Sequence, residues 1–150
     1  MHPLVTTALL VAAWEGGWWA RRRALRGSTY ERALARSRET SKPLVVIGAP
    51  DAGVTAGYPC GDITVDLQPF SRCPRYLSAD IAERLPFQTG SVVAYVSCVL
   101  EYVDRYPEAL TELRRIAGPD LFVVRVEPWT LAAHLYPGAK RTLPSSLVTR

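Results

Sequence analysis

Four residues, Gly48, Asp66, Asp80 and Ser97, stand where a short β-rich run gives way to a loop. In an open parallel sheet such positions gather along one edge, at the carboxyl ends of the strands, where ligands bind. Their types suit that place. Glycine lets backbone approach a ligand closely. Carboxylates accept hydrogen bonds from hydroxyl or amino groups, and a serine hydroxyl both donates and accepts. Acidic residues also end strands as ordinary turn formers, so the set on one edge carries the inference rather than any single member. Other chemistry-bearing side chains are sparse. His134 is the sole histidine after residue 42 and reads as an ordinary helix residue. Cys98 lies in the loop after the fourth run, with no flanking cation to lower its pKa.

The elements that must position these residues follow from periodicity. Residues 44–48 are apolar and β-branched and end in glycine, the pattern of a buried parallel strand. Residues 62–67 alternate and form a second strand, with Asp66 at its end. Residues 76–79 make a short third strand, followed by one helical turn over 81–85. Residues 92–96 and 121–126 are the fourth and fifth strands. Between those two, Ala109, Leu110, Leu113, Ile116 and Ala117 recur at helical spacing. Pro107 suits that helix's first turn, and Gly118-Pro119 closes it. Residues 54–61 hold two glycines and a proline, which predicts an irregular crossover rather than a helix. Residues 130–136 read as a short helix, and the tail from Pro137 has no strong pattern. Strands alternating with crossovers predict an α/β fold: a mainly parallel, doubly wound, Rossmann-like five-stranded sheet over residues 43–150.

Charge divides the chain differently. The net charge is +4. Residues 1–42 carry eight Lys/Arg against three Asp/Glu, whereas residues 43–150 carry ten against eleven. The basic excess therefore belongs to an N-terminal helical arm. Residues 4–14 hold no charge, Glu15-Gly16-Gly17 interrupts the run, and Arg21-Arg22-Arg23 ends it. A stretch of this kind is at the short end of what spans a bilayer. Trp14, Trp18 and Trp19 beside the arginines resemble an interfacial belt with a charged anchor. Residues 1–20 are thus expected to be a transmembrane helix or one that packs on a protein partner. The positive-inside bias then places the body on the cytoplasmic side. Residues 21–42 form a basic stem, divided at Gly27-Ser28-Thr29, with a packing face of Tyr30, Ala33, Leu34 and Ser37. Its arginines suit solvent, anionic headgroups or an RNA backbone. Aromatic residues do not interleave with them, and no RNA-binding motif is present, so nucleic acid is the weakest of these partners. Cys60, Cys73 and Cys98 are an odd count without a Cys-x-x-Cys pair, which argues against a disulfide framework or a structural zinc site. A reducing compartment is the simplest reading, with a Cys60–Cys73 bridge left open.

Several motifs together point to a family. Ala79-Asp80-Ile81 leads through Leu85-Pro86-Phe87 to Gly90-Ser91, then to Val92–Val103 with Leu100-Glu101-Tyr102-Val103, and to a helix carrying Leu113-Arg114-Arg115. Over about residues 44–127 the chain resembles the class I S-adenosylmethionine-dependent methyltransferases, the type 11 group in particular. The resemblance implies a cofactor site of Gly48, Asp66, Leu67, Asp80, Ile81 and Ser97. Asp66 would hold the ribose hydroxyls, Asp80 and the Ile81 backbone would sit by the adenine, and Gly48 would lie under the methionine part. The sequence departs from the family pattern at Val46, at Pro50 in the glycine-rich loop, and at Tyr102, where the family has histidine. The fold expected is a truncated methyltransferase fold. Its expected role is a degenerate domain serving as a membrane-associated accessory or structural subunit of a larger assembly. The alternative is an active membrane-tethered methyltransferase with a small-molecule or lipid-like acceptor.

Overall fold

A computed structural model describes residues 3–48, 60–67, 73–126, 130 and 140–148. The elements in order are α1 (Pro3–Thr40), β1 (Leu44–Ile47), β2 (Ile63–Asp66), β3 (Tyr76–Ser78), β4 (Val93–Ser97), α2 (Tyr106–Ala117) and β5 (Leu121–Val124). All five strands are parallel, in the order β3-β2-β1-β4-β5. The α/β, Rossmann-like expectation holds. The central strands are apolar on both faces because both are covered. Val45, Ile47, Ala94, Val96 and Val123 pack with Leu113 and Ile116 of α2. Leu44, Val46, Val93, Tyr95 and Val124 pack with Tyr30 and Ala33 of α1. This period-two division is what a pleated strand between two helical layers imposes.

The arm and stem form one helix of 38 residues, without a break at Gly27. The expected division is therefore corrected. An interior glycine weakens a helix by about 1 kcal/mol, less than the packing of the following turns on the sheet supplies. Thr29, Tyr30, Ala33 and Ser37 are all buried there. Ser28 lies inside this helix, and its Oγ donates to the Leu25 carbonyl at 3.2 Å. The transmembrane expectation is corrected too. Among the described residues no helix is long and apolar enough to cross a membrane, because Glu15, Gly16 and Gly17 dilute the apolar run.

Ion pairs fasten the C-terminal end of α1 to the start of β5. The buried Asp120 carboxylate accepts from Arg36 Nε and from Lys42 Nζ, each at 2.7 Å. Cys60 and Cys73 form a disulfide with their Cα atoms 5.6 Å apart, the bridge that the cysteine count left open. It joins the segments that enter β2 and β3, neighbours in the sheet. The patternless tail is also placed: Leu143 is buried in the α2-side core, and its carbonyl accepts from Arg125 at 3.0 Å. The 54–61 crossover (Cys60 and Gly61 apart), Pro50, the 130–136 helix beyond Thr130, and His134 lie outside the described residues.

A candidate ligand cleft at the strand switch point

β1 is the first strand of the sheet, with β2 on one side and β4 on the other. Chain direction across the sheet reverses between β1 and β4, and in open α/β sheets ligands enter the crevice at such a reversal. Both walls of the crevice turn sharply. Gly48 leaves β1 at φ 99°, and Cys98 leaves β4 at φ 54°. The first value is one that glycine adopts readily. The second is unusual for a residue with a side chain, and such conformations concentrate at ligand sites. Gly48 N–H donates to the Val65 carbonyl at 2.9 Å, and Cys98 N–H to the Val124 carbonyl at 2.8 Å, so both turns are tied to the neighbouring strand.

A cleft of about 380 Å³ opens there, within the range of small-molecule pockets. Ile47, Gly48, Val65, Asp66 and Leu67 form one side; Ala79, Asp80 and Ile81 the end; and Cys98, Val99 and Tyr102 to Arg105 the other side. Of the six residues expected from sequence, Gly48, Asp66, Leu67, Asp80 and Ile81 are brought together. Ser97 stands apart. It is buried and shares the α1 face with Tyr95 by strand alternation, and its Oγ has no hydrogen-bond partner among the described residues.

The acidic end is organised by hydrogen bonds. Asp80 Oδ1 accepts from Ala82 N–H at 2.8 Å, and Oδ2 from Arg105 Nη2 at 2.8 Å. The Ala82 amide, with the Arg105 guanidinium, holds this carboxyl below the usual range against the opposing effect of burial. Arg105 also reaches Glu83 at 3.3 Å. The loop carrying Asp80 is clamped from α2. Glu112 Oε1 accepts from Leu85 N–H at 2.7 Å. Arg115 donates to the carbonyls of Phe87 and Leu85 at 2.8 and 3.2 Å, and pairs with Glu112. The Leu-Pro-Phe and Leu-Arg-Arg motifs therefore do a mechanical job: they hold one end of the cleft to a helix.

The wall from Val99 to Arg105 was not singled out as a site by sequence, although its Leu-Glu-Tyr-Val motif marked the segment. The tail holds it. Lys140 N–H donates to the Glu101 carbonyl at 2.7 Å, Lys140 Nζ pairs with Asp104, and Arg141 donates to the Val103 carbonyl. The Glu101 side chain is buried, and its Oε1 accepts from Val126 N–H at 2.6 Å. Burial pushes that carboxyl up, although the Val126 amide opposes the shift. Burial likewise pushes the Cys98 thiol up, against the pull of Arg26, which folding brings near it. A protonated thiol is a poor nucleophile. The cleft thus offers apolar walls, three carboxylates (Asp66, Asp80 and Asp104) and a rim arginine: binding chemistry, without a paired nucleophile and base among the described residues.

Comparison with protein-family models, with curated proteins and with solved structures gives no match to this chain.

Proposed function

We propose that this chain is a methyltransferase-like domain whose cleft binds an adenosine-bearing ligand of the S-adenosylmethionine class. One observation carries the reading: Gly48, Asp66, Asp80 and Ile81, widely separated in sequence, line a single cleft at the switch point of a parallel sheet. The residues present suit such a ligand. Asp66, at the end of β2, can accept from vicinal hydroxyls. Ile47, Val65, Ile81 and Val99 provide apolar contact for a flat heterocycle. Gly48, at positive φ, keeps the backbone turn free of a side chain. When bound, S-adenosylmethionine supplies an electrophilic methyl group on a sulfonium. The protein's share in methyl transfer is chiefly to hold donor and acceptor in line, and this cleft has the features of a holder rather than of an acid–base centre.

Isothermal titration calorimetry with S-adenosylmethionine and S-adenosylhomocysteine tests the reading. Binding is expected, with Asp66→Ala weakening it at least tenfold, the equivalent of about 1.4 kcal/mol for a lost charged hydrogen bond. Absence of heat at millimolar ligand, with Asp66→Ala indistinguishable from the parent, sinks it.

A second reading, a non-catalytic accessory subunit, is favoured by the Asp80–Arg105 pair, which already occupies the carboxylate at the adenine end. It predicts a chain that aggregates alone and is solubilised by its partner, with Arg105→Ala restoring no ligand affinity. The Cys60–Cys73 bridge bears on location. Disulfides persist in oxidising compartments, which favours such a compartment over the cytoplasmic side expected from the arginines.

A further inference from the structure

We propose that the projecting half of α1 seats in an anionic membrane surface and turns the cleft edge of the sheet toward that surface. The inference stands whether or not the cleft takes an adenosine-bearing ligand, since it rests on α1 alone and on the direction of the strands.

The contacts fix that direction. The Lys42 carbonyl accepts from Ser37 Oγ, and Arg36 and Lys42 meet Asp120 at the start of β5. One to two turns back, the Tyr30 ring meets Tyr95 edge-on at 5.5 Å. Tyr95 Oη then donates to the Arg26 carbonyl at 3.1 Å, and Arg22 donates to Thr130 Oγ1, beyond the end of β5. α1 therefore runs antiparallel to the strands. Followed backwards, it passes the sheet at the carboxyl-terminal edge, the edge where the cleft opens. Residues 3–21 continue past that edge for about 28 Å at 1.5 Å per residue. Among the described residues none before Arg26 is buried.

The character of that segment selects its occupant. Leu4, Val5, Leu9, Leu10, Val11, Trp14 and Trp19 are all exposed, Leu4 by 73% and Leu10 by 68%. At 100° per residue they surround the helix rather than form one stripe. A helix lying in a protein groove or against a second copy needs one apolar face; one apolar all round suits a medium that surrounds it. Charge sets the boundary of the medium. Arg21, Arg22 and Arg23 follow the apolar turns, with the Arg21 guanidinium over Trp18 at 5.5 Å and that of Arg23 over Trp19 at 5.7 Å. Tryptophan beside arginine suits the headgroup level, where anionic phosphates attract the cations. Because the segment is not apolar enough to cross a bilayer, its apolar turns enter the surface from one side, end-on, without spanning it.

The test uses the full chain and vesicles of phosphatidylcholine with or without phosphatidylglycerol. Co-sedimentation with the anionic vesicles is expected. Leu9→Glu/Leu10→Glu, at positions that touch no part of the core, should abolish it while leaving the circular dichroism spectrum intact. Arg21→Gln/Arg23→Gln should cost about thirtyfold, five- to sixfold for each arginine near a charged surface. For orientation, a fluorophore is attached at Asp104→Cys on the cleft rim or at Thr89→Cys on the opposite edge, each in a Cys98→Ala background. A nitroxide on the lipid headgroup should quench the first label and spare the second. The proposal is overturned by any of three results. One is no binding to anionic vesicles. Another is equal binding of the Leu9/Leu10 variant, including the case of a dimer whose tryptophan emission ignores vesicles. The third is equal quenching of the two labels.

Discussion

Reduction of the Cys60–Cys73 bridge should weaken the fold while leaving the cleft unchanged. The two cysteines are 13 residues apart, and a cross-link closing a loop of about that size stabilises by roughly 3 kcal/mol, in the chain-entropy account, through the unfolded state. The folded side adds little to the change, since each cysteine sits at the entry to its strand. Tyr30 Oη donates to the Cys60 carbonyl at 3.1 Å, so a loosened entry to β2 also loses a hold on α1. At about 2–4 °C per kcal/mol for a chain of this size, Tm should fall by roughly 6–12 °C. Thermal and urea unfolding of the oxidised chain, the reduced chain and Cys60→Ala/Cys73→Ala measure this. The urea slope should steepen in the last two as the unfolded ensemble expands. Titration of the unreduced chain in denaturant should find one thiol, that of Cys98. The bridge lies at the opposite edge from the cleft, so ligand and vesicle binding should be unaffected by the double substitution. Coincident unfolding transitions for the oxidised and reduced chains, or three titratable thiols, would refute the reasoning.

Three further outcomes follow from buried carboxylates. Glu112→Ala strips the partner from Leu85 N–H and should destabilise by about 2 kcal/mol; amide exchange should quicken at Leu85 and Phe87 before it does in β1 or β4. Asp120 keeps its carboxyl below the ordinary 3.8: burial acts to raise it, and the hydrogen bonds from Lys42 and Arg36 together outweigh burial. A depressed folded pKa contributes stability above 3.8 that is lost as pH falls through the folded value. Asp120→Asn should therefore cost most in urea unfolding at neutral pH, about 1–3 kcal/mol, and progressively less in acid. Glu101 works in the opposite sense. Burial raises its folded pKa above the ordinary 4.5, so it detracts from stability as pH rises beyond 4.5. Glu101→Gln, which keeps an oxygen for Val126 N–H, should raise Tm at neutral pH and flatten its dependence on pH; a lower Tm at neutral pH would show that the charged form is needed.

Much of the sheet was legible because its strands are short apolar runs bounded by proline, glycine or acidic turns. Residues 44–47, 63–66 and 93–97 could hardly be anything else. The edge holding Gly48, Asp66 and Asp80 followed from the parallel arrangement alone. What escaped the sequence depends on neighbours distant along the chain. Gly27 reads as a break because local propensity disfavours it, yet the turns on either side are held by Tyr95 and Asp120, 69 and 84 residues along the chain from the residues they bind. The disulfide has no spacing signature, and only the adjacency of β2 and β3 brings Cys60 to Cys73. Leu143 lies in a stretch without periodicity and is recruited by Arg125 and by the segment after β4. Ser97 shows the converse. It ends β4 as its position implies, but its buried side chain is not part of the cleft lining.

The unbroken course of α1 makes it a rigid spacer. Seated on the sheet at one end and projecting beyond it at the other, it fixes both the height and the rotational phase of whatever its tip engages. Adding one residue between Ala20 and Arg21 would advance the tip by about 1.5 Å and swing it by about 100°. Adding seven would return it to nearly the same phase at about 10 Å greater height. A body held through such a spacer stands at a set distance from its attachment, as though measured by a ruler. Paired insertions of one and seven residues would therefore separate the effect of orientation from that of reach.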